Sequence, residues 1–242
     1  MRHLARFALG MLLAVLLCNS TVAAEGKPFR HLVFNVGVTM TTQNDTLVGG
    51  IDSGGSQTAH SGGGIVATGS ITADFIGITA DNAFRIQIAE NTDTRKAPPV
   101  AVDVTSDGNV RLPQNQMVNV TDEEQTILPM LARYFVTDDG VSAGQWTRKS
   151  SVGKNSDDET YRLTSQEPSG DIKIDMEQRI NVRDAQPFDT TTHGSITYSI
   201  RYKVPRAVVI ESRTHRESVQ GAETDNTKAH FDLVTDSFQT GS

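Results

Sequence analysis

Between Val120 and Gly140 the sequence leaves the two-residue alternation that flanks it on both sides and takes up a helical period, and this one change limits the folds open to the chain. Ile127, Leu128, Leu131, Tyr134 and Phe135 recur at three- and four-residue steps, which gathers them on one side of a helix over about 121–136. Thr121 and Glu124 have the spacing of a capping box, and Asp122 and Glu123 place negative charge at the positive end of the helix dipole. Gly140 is available as the C-terminal stop. Pro129 lacks an N–H and clashes with the carbonyl of Gln125, so the spacing predicts a kink or a short helix that restarts at the proline. A lone amphipathic helix has to bury its stripe against a partner, and the rest of the chain offers only strands.

Those strands follow one another with short, turn-like joins. His31 to Met40 puts Leu32, Phe34, Val36, Val38 and Met40 on one face. Ile65, Ala67, Gly69, Ile71, Ala73 and Phe75 do the same, and the parity then switches at Gly77, which predicts a bulge or bend. Asp81-Asn82 and Asp107-Gly108 are turn signals between the runs at Phe84 to Ile88, Val100 to Val104 and Val110 to Leu112. After the helix come Trp146 to Val152, Thr160 to Thr164, Ile172 to Val182, Ile196 to Val204, Val208 to Val219 and Ala229 to Thr235, with Pro205 breaking the longest stretch. Ile172, Ile174 and Met176 face one way while Lys173, Asp175 and Glu177 face the other, so each strand is dry on one side and wet on the other. The count is about eleven strands in an antiparallel meander. The polar, glycine-rich stretch from Thr41 to Gly64 is expected to be a flexible connection, because it lacks the Gly-Lys-Ser/Thr ending of a phosphate loop. An outer-membrane barrel fits less well: aromatics are too few for two girdles, and the chain ends in polar Gln239-Thr240-Gly241-Ser242.

The first residues predict export. Basic Arg2 and Arg6, an apolar run from Phe7 to Cys18 and small residues ending at Ala23-Ala24 make a secretory signal peptide over 1–24, and the apolar run is shorter than the ~20 residues needed to span a bilayer. Cys18 follows Leu17, which does not suit a lipidation site. Cleavage after Ala24 removes Cys18, the one cysteine of the sequence, and leaves 218 of the 242 residues as a single β-rich domain, 25–242. Twenty basic residues then stand against 29 acidic ones, a formal charge of −9. That balance argues against nucleic acid and against anionic membrane surfaces as partners, and membrane association is not expected once the signal is gone. The destination is periplasmic or extracellular.

No residue pattern points to a reaction. His31, His60, His193, His215 and His230 fall into no zinc-binding spacing, and Asp138-Asp139 and Asp157-Asp158-Glu159 lack the alternation of a calcium loop and are expected in solvated turns. No Gly-x-Ser-x-Gly elbow occurs. Asn44 and Asn119 begin glycosylation sequons, which matter only in a eukaryotic secretory pathway. Trp146 is expected to close the helix against the sheet as a core aromatic. The chain is therefore read as neither an enzyme nor a cofactor or metal protein.

The segments Leu128-Pro129-Met130-Leu131-Ala132-Arg133-Tyr134-Phe135, Gly144-Gln145-Trp146, Thr160-Tyr161-Arg162-Leu163-Thr164, Gly194-Ser195-Ile196-Thr197-Tyr198 and Leu233-Val234-Thr235-Asp236-Ser237-Phe238 together resemble uncharacterised bacterial secreted proteins of β-rich type. By architecture alone, many strands with a covering helix are similar to the LolA and LppX group of lipoprotein carriers, whose curved half-barrel surrounds an apolar cavity. Their helices are more numerous, and no functional residue carries over. The expected fold is a curved antiparallel sheet or half-barrel with one covering helix. Ile127, Leu131, Phe135 and Trp146 would meet Ile174, Ile196, Tyr198 and Ile200 there, and these eight are the candidate lining of a ligand cavity. Two functions remain open: a carrier or sensor of a lipid or other apolar molecule, or a structural or protein-interaction module whose core is fully packed.

Overall fold

The computed structural model describes residues 28–49, 56–112, 120–183, 187–218 and 221–238. Its strands are β1 (Arg30–Gly49), β2 (Ser56–Ile78), β3 (Phe84–Thr92), β4 (Val100–Val104), β5 (Val110–Arg111), β6 (Gln145–Val152), β7 (Asn155–Gln166), β8 (Asp171–Val182), β9 (Phe188–Ser199), β10 (Val204–Ser218) and β11 (Gly221–Asp236). Two short helices, α1 (Asp122–Ile127) and α2 (Asp138–Ala143), and a 3₁₀ turn at Leu128–Leu131 stand between the two runs of strands. All eleven strands form one antiparallel sheet in the order β5-β4-β3-β2-β1-β11-β10-β9-β8-β7-β6. The two halves are meanders joined where β1, near the start of the chain, pairs with β11, near its end. The sheet is open, with β5 and β6 as its edges.

Alternation sorts the side chains. Val36 pairs with Phe231, Phe231 with Val208, Val208 with Ile196, Ile196 with Ile174 and Ile174 with Leu163, so one apolar row crosses six strands on the inner face. Two rows further along the strands the same face turns polar beyond Met40, where Thr227, Ser212, Thr192, Gln178 and Glu159 are successive cross-strand partners. There Thr192 and Ser212 share a hydrogen bond of 2.8 Å, Thr190 and Thr214 one of 2.9 Å, and Thr42 donates to Asp225 at 2.6 Å. The inner face is thus graded from apolar at one end of the strands to hydroxyl-rich at the other.

The sheet curls about this face. Arg133 stacks on Phe84 of β3, and Phe135, two residues on, packs on Tyr161 of β7. Those strands are seven places apart in the sheet, roughly 34 Å if it were flat at the usual strand spacing. Two residues of chain cannot bridge that distance, so the arms fold toward each other. Register shifts near Phe75/Gly77, Leu163/Ser165 and Pro205/Ala207 add local bends, the first at the glycine where parity switches in the sequence.

Several local expectations need correction. The helix expected over about 121–136 is six residues of α-helix and four of 3₁₀, after which Ala132 is extended, with ψ 148. Pro129 follows Leu128 in the first turn of the 3₁₀ segment, where its missing N–H is harmless, so the break about the proline agrees with its expected kink or restart. Gly140 does not end this helix; it lies inside α2, whose stop is Gly144 at φ 71. The run from Ile196 to Val204 is two strands, because the chain turns at Ile200 to Lys203, with Lys203 at φ 52. Of the glycine-rich stretch from Thr41 to Gly64, Thr41–Gly49 and Ser56–Gly64 pair residue by residue rather than forming a connection. Ladder hydrogen bonds need only backbone, so glycines do not prevent pairing; residues 50–55 lie outside the described residues.

Candidate functional site

The segment from Thr121 to Gly144 lies across the apolar end of the inner face as a roof. Its entry is fixed by the capping box read from the sequence: the Glu124 N–H donates to the Thr121 hydroxyl at 3.1 Å and the Thr121 N–H donates to the Glu124 carboxylate at 3.0 Å. Ile127, Leu128, Met130 and Leu131 then face down and are buried. Beyond the extended Ala132, the Tyr134 N–H donates to the Ser106 carbonyl at 2.9 Å, which ties the roof to the turn between β4 and β5. Thr137 caps α2 by accepting from the Gly140 N–H at 3.0 Å. The chain enters β6 after the Gly144 carbonyl accepts from Leu163 N–H at 2.8 Å.

Phe135 is the centre of the contact with the far arm. Its ring meets Tyr161 at 5.2 Å and 84°, Tyr198 at 5.3 Å and 47°, and Trp146 at 6.4 Å and 85°, while Trp146 stacks on Tyr161 at 5.3 Å. Of the eight candidate lining residues, Ile127, Leu131, Phe135, Ile174, Ile196 and Tyr198 are buried in one cluster, all at 2% exposure or less. Trp146 is half-buried against that cluster, the core aromatic the sequence suggested. Ile200 also packs on it only in part, because it stands in the β9–β10 turn and not on a strand face. Two grooves open to solvent lie elsewhere. One of about 720 Å³ borders Arg95, Val110, Leu112, Thr121 and Gln125; the other, of about 640 Å³, borders Thr39, Thr41, His193, Arg213 and Lys228. Neither is lined by the eight.

Polar groups buried under the roof escaped the residue reading. Glu90 continues the inward parity of Ile86 and Ile88 and is 4% exposed; its Oε1 accepts from Thr92, and its Oε2 has no hydrogen-bond partner among the described residues. Glu124 above it is fully buried, with Oε1 likewise unpartnered. Burial pushes the Glu124 carboxyl up, the Thr121 N–H pulls it down, and the charges of Glu90 and Glu123 raise it again. Near the far wall the Tyr161 hydroxyl donates to Glu159 at 2.7 Å, and Arg148 pairs with Glu159 at 3.0 Å. Burial raises the Glu159 carboxyl despite that arginine, and it raises Tyr161 and Tyr198 as well. The Tyr198 hydroxyl is buried with no hydrogen-bond partner among the described residues. At the end of the strands Arg30 and Asp236 form a buried two-pronged pair, at 3.1 and 2.8 Å. Alternation alone marks Glu90 and Thr92 as inward-facing; no local signal pairs Arg30 with Asp236, which are 206 residues apart.

The other sequence candidates are dispersed. His31 pairs with Asp74 at 2.6 Å, His215 shares a hydrogen bond with Thr224, and the His230 ring lies over Gly37. The side chain of His60 and residue Asn119 lie outside the described residues. Asp138 and Asp139 open α2, whereas Asp157, Asp158 and Glu159 stand on β7 rather than in a turn. Among the described residues no three acidic, histidine or cysteine side chains converge as metal ligands.

No family model matches the chain, and no curated protein matches it. A solved structure, described as lipid-protein interactions in lipovitellin, is similar at a TM-score of 0.51 and 10% identity over 89% of this chain. This chain spans 26% of that protein's length, and at this identity the likeness is one of fold.

Proposed function

We propose that the chain is an exported, non-enzymatic carrier of a lipid or other apolar molecule, which it takes up between the roof and the inner face of the sheet. The observation that carries this reading is the nature of the roof's attachment. Ile127, Leu131 and Phe135 hold it by apolar contact, while among the described residues the main-chain bonds that tie it to its surroundings are at Tyr134, past its middle, and at Gly144, its end. An acyl chain offers the inner face the same apolar contact, so the roof can be exchanged for cargo at small cost in hydrogen bonds. The lipid named in the description of the lipovitellin structure, and the carrier-like architecture, agree with this reading. The hydroxyl-rich rows beyond the roof would suit the polar end of an amphipathic cargo.

The second reading, a structural or protein-interaction module, is favoured by the burial of the six core candidates, which packs roof and sheet together with the groups exposed at 2% or less. Native mass spectrometry of protein purified without detergent, with organic extraction of any adduct, separates the two. The carrier reading expects a co-purified apolar adduct or stoichiometric uptake of a fluorescent fatty acid. A clean apo mass with no uptake overturns it and leaves the interaction module.

A further inference from the structure

The end of the sheet under the roof gathers segments that are distant in sequence. The strand order brings together the β2–β3 turn, the start of β1, the end of β11 and the β9–β10 turn, and Tyr134 of the roof is fastened beside them to the β4–β5 turn. Stacked rings make much of this rim continuous. Arg133 lies over Phe84 at 5.3 Å, Phe84 meets Phe75 at 5.3 Å, Phe75 meets Phe29 at 5.8 Å, and Arg30 lies over both Phe75 and Phe238, at 5.7 and 4.8 Å. Four large side chains on it face water: Phe29 at 45% exposure, Phe238 at 52%, Ile78 at 54% and Tyr134 at 57%.

The charges of the rim are unequal. Its carboxylates are mostly committed, Asp81 to Arg111, Asp103 to Arg85, Asp171 to Arg206, Glu167 to Lys173 and Asp236 to Arg30, while Asp138 and Asp139, at the start of α2 in the roof, are exposed and in no ion pair among the described residues. Asp107 takes hydrogen bonds from Thr105 and Asn109. Arg133, Arg201 and Lys203 have no carboxylate partner among the described residues, and Lys203 stands in the tight β9–β10 turn at φ 52. Exposed aromatic and aliphatic tips interleaved with unpaired cations are suited to the headgroup layer of a bilayer, where rings seat at the interface and cations meet lipid phosphates. A protein groove would instead call for a concave contact, and this rim is a line of turns.

We propose that this rim docks the protein on an anionic lipid bilayer. The net charge of −7 over the whole chain does not oppose this, because within a Debye length the surface senses the cations of the rim more than acids at the far ends of strands, such as Glu217 and Glu223. The inference differs from the expectation drawn from net charge, which averages over the molecule. It also stands apart from the carrier reading: a chain that binds no apolar cargo would still dock by this edge.

Sedimentation of the full chain with phosphatidylcholine vesicles, with and without phosphatidylglycerol, tests it. The expected result is binding to the phosphatidylglycerol vesicles, weakened about tenfold or more by leaving out the anionic lipid or by raising salt. The paired substitutions Ile78→Ser with Tyr134→Ser, and Arg201→Glu with Lys203→Glu, alter exposed side chains, and circular dichroism confirms that each variant is folded. Each pair is expected to lose at least about tenfold in vesicle binding. These variants keep the N-terminus of the parent, so the difference reads the rim alone. Binding that ignores the anionic lipid, or variants that sediment as the parent does, would overturn the proposal.

Discussion

Leu131 and Glu124 sit within two turns of each other in the roof and make opposite demands on the fold. Leu131, 2% exposed, contributes apolar burial alone, so Leu131→Ala should cost about 2–5 kcal/mol in chemical denaturation. A cost below about half a kcal/mol, as at surface sites, would show that the roof does not pack. Glu124 caps the helix but is buried beside Glu90 and Glu123, and its folded carboxyl titrates above its ordinary value. A carboxyl that holds its proton more tightly when folded adds stability that is complete below its unfolded pKa and lost as pH rises through the folded one. Glu124→Gln keeps the capping acceptor and removes that titration. The variant should therefore gain on the parent as pH rises above the ordinary glutamate range, and parallel pH profiles of the two proteins would contradict this. Asp236→Ala strands the buried Arg30 charge and should cost about 3–5 kcal/mol.

Among the elements, the strands were legible in the sequence and the roof only in part. Alternation reveals strands because a sheet with one dry face repeats every two residues, and it located the inward faces of Leu32 to Val38 and Ile172 to Met176. The same pattern could not locate the β9–β10 turn, since Ile200 and Tyr202 continue the apolar parity through residues that reverse direction. Nor could glycine content tell a connection from a ladder. The roof's cap was readable because Thr121 and Glu124 act within one turn, but its length was not, because Pro129 and the tertiary bond at Tyr134 set where helix gives way to extended chain. Two glycines in β2 separate backbone fit from composition. A Cβ at Gly69 would lie 2.2 Å from the Asn91 carbonyl oxygen, whereas one at Gly63 would meet nothing within 4 Å. Gly69→Ala should destabilise by about 1–3 kcal/mol, and Gly63→Ala should stay within about half a kcal/mol. Equal effects in thermal melts would show that β2 and β3 do not approach as described.

For the whole molecule, the sheet's curl turns its one-sided central strands into a trough whose apolar end is roofed and whose other end is lined by hydroxyls. Ile174, Ile196 and Tyr198 converged because they share the inward parity of neighbouring strands, and Ile127, Leu131 and Phe135 meet them from the roof; what they enclose depends on whether the roof can leave. Apolar contact, rather than a hydrogen-bonded ladder, holds the roof in place. Hydrogen exchange read by mass spectrometry, on protein with and without a saturating long-chain fatty acid, measures this directly. Amides from Ala132 to Phe135 are expected to exchange well before those at the centres of β1 and β10, and faster still with the fatty acid bound, while the strands stay protected. Roof amides as slow as the central strands and indifferent to fatty acid would contradict it.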